Sequence, residues 1–324
     1  MAETWNLKQQ FLDAIKQKGG FVNCHGHFDK SFYISKEGMK KAMVDMETKW
    51  HMSDDIKRND TQENVKNRIR RCLDRMVEQG AKQTLSFIDA YSAVGHKAID
   101  AACTMQKEYK DKIQFLTSTQ PIGGLLDPKE RAIFESVSAK ANTVGGLPSR
   151  DRPYIQKSFD ILFNIARNLN KPLHVHIDQE NNPHERDTEL LLYYTKKYGY
   201  EGRVVAIHAL STSAQPQNYR KKLYKKMAEL GISVVVCPSA VISMPQLDKY
   251  DAPTHNSIAN VPEMIEAGVN VGLGVDDIAD FYLPVVDGDL WVELRFLMEA
   301  CRYYNFDEVV KIATENGKKI LSIK

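Results

Sequence analysis

Four of the nine histidines in this 324-residue chain fall in two close pairs: His25 and His27 in the run FVNCHGHFD, and His174 and His176 in PLHVHID. Residues two apart on a β-strand share a face, so each pair can turn both imidazoles to one side. Two further polar residues close apolar runs, His208 in VVAIHA and Asp276 in VNVGLGVDD. A carboxylate buried there is costly unless it is paired or bound to a cation, and otherwise takes up a proton. One divalent metal satisfies the whole set, because neutral imidazoles and a carboxylate are ordinary ligands of Zn or Fe and leave a position for water. Singly, each feature has a plainer reading: Asp276 and Asp277 can cap a helix or pair with a lysine, and one histidine pair can arise by chance. The ordered set at the ends of successive apolar runs is the specific signal.

Those residues need a frame, and the periodicity supplies one. Eight short β-branched runs, at 21–29, 83–90, 112–119, 143–148, 172–178, 204–209, 233–239 and 269–277, alternate with amphipathic stretches such as TQENVKNRIRRCLDRMVEQG, KSFDILFNIARNLN and QNYRKKLYKKMAEL. This is the pattern of parallel strands with crossover helices. Eight βα units predict an α/β fold of the closed (β/α)8 barrel type, a TIM barrel, in which active sites gather at the C-terminal ends of the strands. A doubly wound sheet would carry a Gly-rich phosphate turn after its first strand, whereas here that strand runs into HGHFDK. A helix over 1–19 and a single barrel over 20–324 are expected. The charged segment 35–60, which holds Trp50, is long enough to form a helical excursion over the barrel mouth or a helix packed outside it.

HGHFDK, HVHID, IHALS and GVDD together resemble the amidohydrolase superfamily, in the branch of the cytosine deaminases and N-isopropylammelide isopropylaminohydrolase, over some nine tenths of the chain. The resemblance implies metal ligands at His25, His27, His176 and Asp276, with His208 holding the attacking water or polarising the reacting carbon. It implies one metal ion, for TVGGLP has no lysine to bridge a second. Zn is expected, and Fe and Mn suit the same donors. For the substrate it implies Gln120 reading a heterocycle edge, Lys30 facing a substrate oxygen, Asp277 holding an amino or ring NH, and Tyr282 close to the ring. The sequence departs from the deaminases where they carry HxxE: here His176 is followed by Ile177, Asp178 and Gln179. A glutamine cannot move the ring proton, so Asp178, Glu180 or Asp276 has to. The small β-sandwich usual in the branch is expected to be lacking, which leaves room for a homo-oligomer.

The implied activity is hydrolysis of a carbon–nitrogen bond in a small, heterocyclic substrate, most simply deamination. The alternatives are ring opening of a cyclic amide and a silent metal- or ligand-binding barrel. The other zinc deaminase design, with HxE and PCxxC, is excluded because the run around Cys237 lacks a second cysteine. Composition agrees with a small-molecule enzyme. There are 44 Lys+Arg against 42 Asp+Glu, a net charge of only +2, which argues against a nucleic-acid partner. Lys221, Lys222, Lys225 and Lys226 recur at helical spacing, as on a solvated face. No stretch nears the roughly 18 apolar residues of a membrane helix, and five scattered cysteines read as reduced thiols, so a cytoplasmic location is expected.

Overall fold

A computed structural model describes residues 6–44, 46–244 and 258–324. Among them lie eight strands: β1 (Val22–Asn23), β2 (Gln83–Asp89), β3 (Gln114–Gln120), β4 (Val144–Gly146), β5 (Leu173–Ile177), β6 (Val204–His208), β7 (Ser233–Val236) and β8 (Val271–Leu273). All neighbouring strands run parallel, in the orders β1-β2-β3 and β4-β5-β6-β7-β8. Backbone bonds close both seams. The amides of Asn142 and Thr143 reach Thr117 O (both 3.0 Å), while Cys24 N reaches Leu273 O (2.8 Å) and Val275 N reaches His25 O (3.0 Å). The result is a (β/α)8 barrel.

Each of the eight runs seen in the sequence contains one strand, but several strands are shorter than their runs. The first ends early because the chain tightens into a helical turn at Phe28–Lys30. The fourth and seventh stop before Pro148 and Pro238, each of which opens a helical turn and has no N–H for a ladder. The eighth loosens after Leu273 and regains contact with the first only through a bridge between Gly26 and Asp276. Gly274 lets the two ends meet: a Cβ there would lie 2.7 Å from the His25 Cβ.

Strand alternation divides the core in two. Val22, Leu85, Phe87, Val205, Ile207, Val235 and Cys237 fill the barrel, while the opposite face packs beneath the helices. Helix Gln62–Glu78 shows how a helix is fitted to that outer face. Thr61 caps it by accepting the amide of Asn64 (3.1 Å), and Val65, Ile69, Cys72, Leu73 and Met76 form one buried stripe. In helix Gln217–Glu229 the same periodicity buries Leu223, Tyr224 and Met227 and leaves Lys221, Lys222, Lys225 and Lys226 in solvent. Helix Leu7–Gln17 stacks Phe11 on Phe306, with ring centres 4.4 Å apart. None of the described helices is long and apolar enough to cross a membrane, and all five cysteines are free thiols.

Candidate metal centre at the barrel mouth

Alternation points His174 and His176 of β5 into the barrel, His176 at the rim and His174 one layer below. His25 and His27 follow β1, His208 ends β6, and Asp276 follows β8, so four strand ends deliver one cluster. His208 (φ 72°) and Asp276 (φ 61°) both hold left-handed backbone conformations. Such conformations cost about 1–3 kcal/mol each in a non-glycine residue and gather where geometry matters more than stability.

Asp276 is the hub. Its Oδ1 lies 3.1 Å from His25 Nε2 and 3.2 Å from His27 Nε2, and its Oδ2 lies 3.6 Å from His208 Nε2. The His176 ring stands 4.8 Å from that of His25 and 5.4 Å from that of His27. Its Nδ1 faces Gly146 O (3.3 Å), which leaves Nε2 with the lone pair, buried and without a hydrogen-bond partner. The Phe87 ring packs edge-on against His25 and His176 from below, with centres 4.7 and 4.6 Å away, and fixes both imidazole planes.

Burial pushes His25, His176 and His208 towards the neutral form. It pushes His25 down to about 4, against the pull of Asp276, and takes His176 well below its ordinary value and His208 below it as well. The same burial opposes charge on Asp276, yet the His25 imidazole beside it keeps its carboxyl well below the usual range. Among the described residues no lysine or arginine pairs with this buried carboxylate. The orphaned His176 nitrogen, the converging Nε2 atoms and the buried carboxylate are what a divalent cation requires, so the residues present fit one.

Around the centre lies a pocket whose lining includes His27, His176, His208, Asp276, Lys30, Gln120, Gln179, Asp277 and Tyr282. The structure thus brings together the residues singled out in the sequence, except His174, one layer below, and two of the acids. Asp178 has both carboxylate oxygens engaged elsewhere: Asp187 N donates to Oδ1 (2.8 Å), while Thr188 N (3.2 Å) and its hydroxyl donate to Oδ2, so it locks the start of helix Asp187–Tyr198 outside the pocket. Glu180 lines an adjoining chamber. Of the three carboxylates offered in place of the missing glutamate, only Asp276 faces the pocket.

Lys30 is buried beside Asp277 (2.7 Å) and Asp280 (3.8 Å), and its ammonium sits 3.9 Å from the centre of the Tyr282 ring. Burial works against its charge, but the carboxylates prevail and raise it well above the ordinary lysine value. Burial, and after it the neighbouring Asp277, lift Asp280 well above the carboxylate range, against the pull of Lys30. Sequence reasoning missed Asp280, although a third acid in DDIAD was a visible signal. It also missed Asp89, buried on β2 with Lys57 at 2.7 Å, because nothing local distinguishes an acid that ends a strand. The excursion over 35–60 does cross the barrel mouth. Its helix Met46–Met52 carries Trp50, buried, into the pocket wall.

Comparison with known proteins agrees with this geometry. An uncharacterized protein of Haemophilus influenzae is 33% identical over 80% of this chain and 95% of its own. The N-isopropylammelide isopropyl amidohydrolase of Pseudomonas sp. strain ADP is 26% identical over 96% of this chain and 77% of its own. The crystal structure of the 5-methylcytosine deaminase of Klebsiella pneumoniae with 5-fluorocytosine superposes with a TM-score of 0.84 at 21% identity, covering 93% of this chain and 74% of that one. The amidohydrolase family matches residues 19–324. The chain therefore belongs to the amidohydrolase family and is a hydrolase of non-peptide carbon–nitrogen bonds.

Proposed function

We propose that this protein deaminates a small nitrogen heterocycle, replacing an exocyclic amine by oxygen from water. The observation that carries this reading is the convergence of His25, His27, His176 and Asp276, with a bare buried nitrogen on His176, in a pocket rimmed by groups suited to an amide-like ring edge. His25, His27, His176 and Asp276 would hold one divalent metal ion, which when bound supplies a Lewis acid and lowers the pKa of water towards ~7.

The chain's own residues provide the rest. Asp276 accepts the proton of the attacking water and returns it to the leaving amine, since it is the one carboxylate at the centre not committed to a lysine. His208 Nε2, 3.6 Å from Asp276 Oδ2, orients the water against the carbon that bears the amine. Gln120 turns a buried, unpartnered Oε1 towards the pocket, where it would accept a ring NH. Asp277 and Lys30 present an acceptor and a donor side by side, and Tyr282 bounds the ring. Gln179, held at Ser149 (3.3 Å), offers its amide at the far wall. Two similar proteins, an isopropyl amidohydrolase and a 5-methylcytosine deaminase, support a heterocyclic amine as the substrate class.

The test is turnover by metal-reconstituted protein on aminated pyrimidines, triazines and pterins. Release of ammonia or alkylamine is the expected result. Gain of one water without amine release would replace deamination by ring opening. No turnover on the panel, together with identical behaviour of Asp276→Asn, would remove the enzymatic reading.

A further inference from the structure

We propose that helix Met46–Met52 is a gate hinged at Ser53, and that Trp50 on it sets the size of ligand admitted to the metal-site pocket. The proposal rests on that pocket being the substrate site. The free space among the pocket side chains is only about 40 Å³, room for a water or two, whereas ligand sites usually hold about 300 Å³ or more. A chamber of about 570 Å³ lies directly alongside, and Trp50 and Gln179 line both spaces. For a ring to reach the metal ligands, this wall has to move.

Of the two wall residues, only Trp50 stands on a segment whose two ends are attached differently. Beyond Ser53, helix Asp54–Asn59 is anchored deeply. Lys57, 3% exposed, pairs with buried Asp89 at 2.7 Å, and Tyr91 bonds Asp54. Lys97 donates to the carbonyls of Lys57, Arg58 and Asp60 at 2.8, 3.0 and 3.0 Å, and Arg68 pairs with Asp60. Among the described contacts, the polar ones before Ser53 are shallower. The Arg150 guanidinium lies 5.0 Å from the Trp50 ring centre and donates to His51 Nε2 (2.8 Å) at an exposed site, while Lys49 reaches Tyr282 O at 3.4 Å. His51 Nδ1 then faces Asp54 Oδ2 across the hinge (2.9 Å). Ser53 is the one residue between the two helices that is not helical. Such an asymmetry lets one helix open while its neighbour stays put. Swinging Trp50 aside joins the two spaces, and Arg150 is the clasp that holds it shut.

Two measurements test this. In hydrogen exchange on the full chain, amides of 46–52 are expected to exchange at least about tenfold faster than those of 54–59, and Arg150→Ala to widen the difference by about tenfold more. Equal protection of the two helices, or no response to Arg150→Ala, overturns the gate. In the cobalt(II)-loaded protein, followed by its visible spectrum, Trp50→Ala is expected to speed benzimidazole binding by about tenfold or more and to leave azide binding within about twofold. Equal effects on the two probes, or none, overturn the role of Trp50. If no cobalt spectrum develops, the metal reading falls, and the exchange measurement alone decides the gate.

Discussion

Replacing Asp276 by Asn tests the centre at its hub, and the structure sets both the sign and the size of the effect. Without metal, Asp276 is a carboxylate 6% exposed, beside His25 and His176, which burial pushes towards the neutral form. Asparagine keeps its shape and still offers one oxygen to His25, so metal-free Asp276→Asn should differ from wild type by no more than about 1 kcal/mol, in the stabilising direction if anything. With metal the order reverses. At a free metal concentration of about 100 Kd the wild type gains about 2.7 kcal/mol. If loss of the only charged ligand weakens binding about 100-fold, a shift already known for the partners behind a ligand, the variant gains about 0.4 kcal/mol at the same concentration. For a chain of this length about 2 °C accompanies each kcal/mol, so scanning fluorimetry should raise the wild-type Tm by about 5 °C and the variant by about 1 °C. An Asn variant stabilised by Zn, Mn or Fe as much as the wild type would refute the assignment of Asp276 as a ligand, whatever the activity.

Three further outcomes follow from individual contacts. Lys30→Met leaves Asp277 buried without its cation and should cost about 3–5 kcal/mol in denaturant unfolding, most of it recovered by adding Asp277→Asn because that removes the charge the ammonium faced at 2.7 Å; a double variant no more stable than the single would show that Lys30 acts through packing. His174, buried with both ring nitrogens unpartnered, is pushed down to about 3 by burial, so it stays neutral in the fold while the unfolded chain protonates below about 6.5. Stability is then lost as pH falls from about 6.5 towards 3, by about 2.7 kcal/mol at pH 4.5, and His174→Leu should flatten that acid limb of Tm against pH; an unchanged limb would remove His174 as its source. Gln179→Glu restores the acid found in the cytosine deaminases, and if Asp276 carries the proton unaided, kcat should change by less than about tenfold; a rise of about 100-fold or more would show that the proton route was incomplete.

The sequence was most informative where period and chemistry coincide. Each strand run was legible because apolar alternation has a period of two, and His25, His27, His176, His208 and Asp276 stood out as polar groups closing such runs. Strand ends were misjudged where a helical turn or a proline ended the ladder, as at Phe28 and Pro238. Contacts across the mouth were hidden for a different reason. That Lys57 reaches Asp89, or that Arg150 holds Trp50, depends on how the excursion crosses the barrel, and no local pattern encodes it. Asp178 is the instructive case. Its place two residues after His176 suggested chemistry, but a carboxylate there also lies where the next helix begins.

That double position explains the division of labour after β5. His176 turns inward to the cluster at the barrel mouth. Asp178, at φ 48°, turns away and receives two amides of the following helix, and its carbonyl takes those of Leu210 and Ser211 (2.8 and 3.2 Å). Burial and the neighbouring Asp187 push Asp178 up to about 6, while the backbone N–H groups at the helix start pull the other way and hold the side chain in place, which suits a strut that ties the rim of β5 to that of β6. Rotating it towards the pocket would leave those donors bare and separate His176 from His208. Gln179, the next residue, therefore reaches the pocket wall from a fixed backbone, and a neutral amide there adds no second negative charge beside Asp276 and Asp277. With Asp178 committed to the frame and residue 179 uncharged, the proton movement we propose is left to Asp276, whose carboxylate already faces three imidazoles.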